Sequence, residues 1–237
     1  MAKPATVKRF WKDVAVAEAD GGFRIELDGR PIRTQGGSPQ IVPTRGLAEA
    51  MVGEWRRQGI EVDPRAFPLR DLADYAIDHV RTERESVIDK LLGYAETDTL
   101  CYRADPDEPL FRRQQALWEP LLAAFEARHG VRLTRVSGVV HRPHPAETAT
   151  RLRALLAAED DFSLAALDTL ASLAASLTVA LSALEPDADP QALFAVANCE
   201  QDWQAELWGW DAEAERTRAE RLAAFETAAR FARLARP

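Results

Sequence analysis

The residues able to do chemistry fall into a few small groups. His141-Arg142-Pro143-His144 holds the only closely spaced histidine pair. A metal site needs ligands whose side chains converge, with a third supplied from elsewhere in the fold. Pro143 and Pro145 make this stretch extended, so the two rings need not face one way, and an exposed loop is the simpler expectation. Glu96 and Asp98, in AETDTLCYR, would divide acid and base duties only if their surroundings split their pKa values. At i, i+2 they point apart on a helix, so helix termination or an ion pair with Arg103 is the simpler reading. Cys101 beside Tyr102 reads as a small buried residue. The sequence contains no glycine-rich phosphate loop, nucleophile elbow or zinc-protease motif. No catalytic, cofactor-binding or metal-ligating residue is therefore assigned.

Two further groups suit recognition. Glu200, Gln204 and Trp208 recur every four residues, so they share one face of a helix ending at Gly209, with Trp203 and Trp210 close by. Tryptophan and charge-assisted contacts dominate binding hot spots, which fits a partner surface. An amphipathic helix with core tryptophans and a solvated Glu fits the spacing equally. Glu54, Trp55 and Gln58 form a second set of the same residue types. The candidate partner-binding residues are Glu200, Gln204, Trp208, Glu54 and Trp55.

The elements that must carry these groups change character along the chain. Before Gly59, Phe23, Ile25 and Leu27 alternate with polar residues, the period of a half-buried strand. Asp28-Gly29 supplies a turn, Arg30 to Thr34 returns as an edge strand limited by Pro31, and Gln40 to Val42 adds a short one. Thr44 can cap a helix carrying Leu47, Ala48, Met51, Val52 and Trp55. After Asp63-Pro64 the period becomes helical. One long helix is predicted from Leu69 to Tyr94, with others over 109–129, 146–158, 163–184, 190–207 and 212–235, and short strands at Val131–Leu133 and Val136–Val140. The fold class is α+β: a small β-rich N-terminal domain with one helix over 1–62, then a larger all-helical domain over 63–237, with helix 69–94 as connector.

Composition narrows the function classes. The 237 residues suffice for a sizeable core, and 30 basic against 38 acidic residues leave a net charge of −8. Nucleic-acid binding needs a basic footprint that this balance does not offer. Two cysteines are too few for a disulfide framework and point to a reducing compartment. The start, MAKPATVKRFWKD, lacks the apolar run of a secretory leader and is too short for a transit peptide. Ser163 to Leu184 is long enough to span a membrane and carries only Asp168. Its leucines, however, step by three and four from Leu164 to Leu184, which suits the central helix of a bundle rather than stable membrane insertion.

Segments through nearly the whole chain resemble the ATP-twelve family of F-type ATP synthase assembly chaperones. They are RFWKDVAV (Arg9 to Val16), GFRIELDGRPIRT (Gly22 to Thr34), and Val42, Pro43, Leu47, Ala48, Glu54, Trp55 and Gln58. FPLRDLADYAID (Phe67 to Asp78), ETDTLCYR (Glu96 to Arg103), the set Gln114, Trp118, Pro120 and Gly130, and finally Glu200, Gln204, Trp208 and Gly209 follow in order. Ala124 and Asp74-Tyr75 depart from the family pattern. The resemblance implies a protein that is not an enzyme and needs no cofactor. It implies a monomer that binds the unassembled alpha subunit, shielding its interface until beta replaces it, in the bacterial cytoplasm or, after loss of a presequence, the mitochondrial matrix. The rival readings are a metal-dependent hydrolase centred on His141, His144 and a carboxylate, and a generic helical scaffold.

Overall fold

Phe23, Ile25 and Leu27 do form a strand, and it pairs on both sides. In the computed structural model, which describes residues 7–138 and 140–236, β1 (Val14–Ala19) and β2 (Gly22–Leu27) are antiparallel, with Val14 opposite Leu27 and Val16 opposite Ile25. Residues 1–6 of the start read for a leader, and Val139 within the expected strand Val136–Val140, lie outside the described residues. The periodicity did not announce β1, because its alternation of valine with alanine has little polar contrast. The other side of β2 pairs with β3 (Arg30–Pro31) and β4 (Ile41–Val42). The expected strand Arg30 to Thr34 is thus cut to two residues, at the proline that has no N–H to give a ladder. At the turn, Asp28 and Gly29 both take positive φ, 49° and 76°. The Asp28 carboxylate accepts from the Lys12 and Asp13 N–H groups, at 3.0 and 2.8 Å.

The Thr44 hydroxyl accepts the Leu47 N–H at 3.1 Å and starts α1 (Arg45–Arg56), as its sequence predicts. Leu47, Ala48, Met51 and Val52 are buried with Val14, Ile25 and Leu27 of the sheet. The same hydroxyl donates to the carbonyl of Leu234, 190 residues further on.

The expected helix from Leu69 to Tyr94 is interrupted. It consists of α2 (Pro68–Tyr75), a π-helical turn over Ala76–Val80, and α3 (Arg84–Glu96) beyond a turn at residues 81–83. Thr82 closes the first piece by donating its hydroxyl to the carbonyls of Asp78 and His79. Carboxylates on this stretch hold the N-terminal loop. Asp74 accepts from the Gln35 N–H at 3.1 Å and from the Gln40 side-chain amide, and Asp78 accepts from the Gly36 N–H at 2.9 Å and the Thr34 hydroxyl at 2.8 Å. A Cβ on Gly36 would lie 2.6 Å from an Asp78 oxygen, so glycine permits the approach. Tyr75 turns the other way and donates to Asp168 at 2.8 Å. The Asp74-Tyr75 departure thus joins the sheet loop to the helices.

The remaining elements are β5 (Tyr102–Arg103), α4 (Pro109–His129), β6 (Val136–Ser137), α5 (Ala146–Ala158), α6 (Asp161–Ala174), α7 (Leu177–Ser182), α8 (Pro190–Ala197), α9 (Cys199–Trp208) and α10 (Ala212–Ala235). β6 pairs in parallel with β5, while residues 131–133 form no strand. The expected helix over 163–184 is two helices. Ala175 takes a left-handed φ of 48°, and Ser176 caps α7 through the Val179 N–H. The expected helix over 190–207 breaks at Asn198, whose side-chain amide donates back to the Phe194 carbonyl at 2.8 Å. No helix among the described residues is long and apolar enough to cross a membrane.

The molecule is α+β with a helical majority. Its core runs from Ile25 and Leu47 through Leu69, Ile88 and Trp118 to Leu167, Phe194, Phe225 and Phe231 without a break at residues 62–63. α6 lies at the centre, with Phe162 against Phe231 of α10, and Asp168 is paired by Lys90 at 2.7 Å.

Candidate partner-binding site

α9 is tethered rather than embedded: Cys199 is its only buried residue. Its attachment is polar on two sides. Toward α4, Arg113 makes a two-pronged contact with Glu206, one prong at 2.7 Å, and lies over the Trp203 ring. The buried Gln114 amide donates to Glu200 at 2.7 Å, while its oxygen accepts the Ala104 N–H at 2.9 Å. Toward α10, Arg218 meets Asp202 at 2.6 Å and lies over the Trp210 ring. Burial pushes the Cys199 thiol up, so it stays a protonated, inert packing group.

Those tethers leave the predicted face open. Glu200 and Gln204 are exposed, and Trp208 at its end is 78% exposed. Leu207 and Trp210 add exposed apolar surface that the sequence reading did not assign. The signal was present in the adjacent apolar residues of LWGW, but without a fold they read equally as core. The arrangement is an apolar, aromatic end on an acidic helix, able to bind a surface and holding nothing that resembles reaction chemistry.

The second predicted set behaves differently. Glu54 is 1% exposed, and its carboxylate accepts the Leu69 and Arg70 N–H groups at 2.8 and 3.1 Å. It thereby satisfies free donors in the first turn of α2. Burial pushes its pKa up against those two bonds. In the folded chain it faces its own backbone and offers no surface to a partner. Gln58 is buried beside it and accepts the Asp63 N–H at 2.9 Å. Trp55 is half-buried between Trp11 and Phe67, with ring centroids 5.0 and 4.7 Å away.

The candidate catalytic groups are also accounted for by packing. Asp98 is buried and accepts the Leu100 and Thr178 N–H groups at 3.1 and 2.9 Å, so it starts the short turn Thr99–Cys101 after α3 and adds to the capping of α7 rather than ending a helix. The anticipated ion pair of this stretch with Arg103 does not form; Arg103 meets Glu119 at 2.7 Å. Burial raises the Asp98 pKa and pushes the Cys101 thiol far up. His141 Nδ1 meets the Tyr102 hydroxyl at 2.8 Å. His144 accepts the Thr134 N–H on Nδ1 at 2.9 Å and presents Nε2 to the Ala95 carbonyl at 2.8 Å. With both ring nitrogens of His144 engaged, the pair does not converge on a metal, which removes the ground for the hydrolase reading. No group of three metal-ligating side chains occurs among the described residues.

The model of the ATP12 chaperone protein family matches residues 8–126, which include the sheet, α1 to α3 and most of α4. The mitochondrial atp12 protein of Schizosaccharomyces pombe is 28% identical over 214 residues, covering 85% of this chain and 74% of the relative. The crystal structure of Atp12 from Paracoccus denitrificans superposes with a TM-score of 0.92 at 37% identity, over 97% of this chain and 98% of that one. The Atu1473 protein of Agrobacterium tumefaciens gives the same TM-score at 36% identity, over 96% of this chain and 86% of its own. The structural likeness therefore extends through α9 and α10, beyond the family-model match. The chain belongs to the ATP12 family, chaperones of ATP synthase assembly and not enzymes.

Proposed function

We propose that the protein binds the unassembled alpha subunit of F-type ATP synthase through the open face of α9. Glu200, Gln204 and Trp208 would make the contact, while Trp55 serves at most as aromatic support behind the sheet. A lone subunit of an obligate hetero-oligomer exposes a core-like interface that aggregates unless covered. A chaperone needs only to cover it reversibly, and beta then displaces the chaperone by competing for the same surface. Neither a nucleotide nor a metal is required for such an exchange. The chaperone acts as a monomer in a one-to-one complex, in the compartment where the synthase subunits gather: bacterial cytoplasm or mitochondrial matrix.

The observation that supports this reading is Trp208, 78% exposed on a polar-tethered helix in an ATP12-family chain. Co-expression with the alpha subunit tests it. The expected result is a soluble one-to-one complex that beta dissociates. An alpha subunit that stays insoluble, or a complex that beta leaves intact, would overturn it.

A further inference from the structure

β1 is an edge strand, and the phase of its hydrogen bonds fixes which residues face outward. The Asp28 N–H donates to the carbonyl of Asp13, directly opposite, at 3.0 Å. In an antiparallel pair, hydrogen-bonded and non-hydrogen-bonded positions alternate from such a point. Ala15, Ala17 and Ala19 therefore turn their backbone groups toward β2, and Val14, Val16 and Glu18 turn theirs away. The Val14 carbonyl accepts from the Arg56 guanidinium at 2.8 Å. The N–H and C=O groups of Val16 and Glu18 have no partner among the described residues.

Natural sheets blunt such edges with proline, lysine, a bulge or a covering segment. β1 has six residues in unbroken register with β2, without proline or lysine, and Glu18 is its one charged side chain. The alanines at 15, 17 and 19 keep one face low beside the edge. Arg56, at the Val14 end, makes no ion pair among the described residues. Arg45, at the other end, reaches Glu18 at 3.5 Å.

We propose that this edge takes an extended segment of the client subunit as an added strand, with an acidic side chain meeting Arg56. The inference rests on the alpha-subunit reading above. Open N–H and C=O groups in strand phase are satisfied by a main chain of the same phase, so the occupant is extended polypeptide. An unassembled subunit supplies it, because its interface segments lack their own partners. Recognition through the main chain suits a chaperone that must hold its client and then yield it.

The test uses the full chain with the co-expressed alpha subunit. In the free chaperone the Val16 and Glu18 amides exchange as open groups; in the complex both are expected to slow by about tenfold or more. Glu18→Pro removes an outward N–H that the β1–β2 ladder does not use, at a position whose side chain is 81% exposed. Glu18→Ala loses the Arg45 contact but keeps that N–H. Glu18→Pro is expected to retain about tenfold less alpha subunit than Glu18→Ala at a similar melting temperature. If the proline variant melts early, the amide measurement on the unmutated chain decides. Equal retention by two well-folded variants, or amides that exchange in the complex as in the free protein, would overturn the proposal. So would slowing that rises with concentration in the chaperone alone, which would make a second copy the occupant. If the unmutated chain captures no alpha subunit, the client reading fails first, before any edge variant is made.

Discussion

Two glutamates in similar sequence surroundings end in opposite situations. Glu54 has Trp55 beside it and Gln58 one turn later; Glu200 has Gln204 one turn later and Trp208 one turn after that. Glu54 is sealed inside, bonded to two backbone N–H groups of α2, whereas Glu200 is exposed and held by one buried amide. The difference comes from what lies across from each helix. α1 packs against the sheet and the start of α2, so its polar face becomes a joint. α9 meets its neighbours through Gln114, Arg113 and Arg218, and its aromatic end projects beyond them. A polar-aromatic stripe becomes a surface only where the fold leaves it without an opposing element.

The sharpest way to break this comparison is Glu54→Ala. It strands two N–H donors at the start of α2, and the expected loss is about 2–4 kcal/mol of folding stability. Denaturant unfolding measures it; a loss below about 0.5 kcal/mol would show that Glu54 is no joint. Trp208→Ala should do the reverse. Its folding stability should stay within about 0.5 kcal/mol, because the side chain is exposed. Affinity for the alpha subunit should fall by about 2 kcal/mol if Trp208 is a hot spot. Calorimetric titration reads the affinity, and unchanged binding would move the site away from α9.

Glu200 allows a finer division. Glu200→Lys removes the acceptor of the buried Gln114 amide, with an expected cost of about 1–2 kcal/mol of stability. Glu200→Gln still accepts that amide, so it should melt within a degree or two of the unmutated protein, a shift of about 0.5 kcal/mol at most. Weak client binding in the Gln variant then isolates the charge, and normal binding shows that only shape matters at this position.

The smallest expected effect is a slope. Burial raises the folded-state pKa of Glu54 above the ordinary 4.5, so the folded protein holds that proton more tightly than the unfolded chain. Its contribution is fully present below pH 4.5 and is lost as pH rises through the folded value. Glu54→Gln should flatten that part of the stability–pH curve, leaving the contributions of Asp74 and Asp98, also raised by burial. Unfolding curves at several pH values above 4 compare the two slopes, and parallel curves would mean that the carboxyl does not change its proton affinity on folding.

What the sequence made legible follows from range. β2, α1 and the Thr44 cap rest on contacts within a few residues, and alternation or cap chemistry announces them. The breaks at residues 81–83, Ala175 and Asn198 involve neither proline nor glycine, so the helical period runs straight through them. Thr82 and Asn198 close two of them by bonding back to carbonyls within a turn, and at Ala175 the Ser176 cap is joined by Asp98, which reaches Thr178 from 80 residues away. Glu54 was legible as a polar residue beside a tryptophan, but its partners are backbone groups 15 and 16 residues on. The face of α9 was readable from its four-residue spacing; its openness was not, since exposure depends on neighbours brought in by the fold.

The Thr44–Leu234 bond sets an order of events in the making of the protein. Synthesis delivers the sheet and α1 first, yet α10 supplies Phe225 and Phe231 to the core and the carbonyl that Thr44 reaches. While the ribosome is still working toward residue 235, the apolar side of α6 lacks its lid, and the nascent chain carries uncovered surface of its own. A chain of an assembly-chaperone family thus carries exposed apolar surface of its own during synthesis, and covers it when α10 folds back over α6.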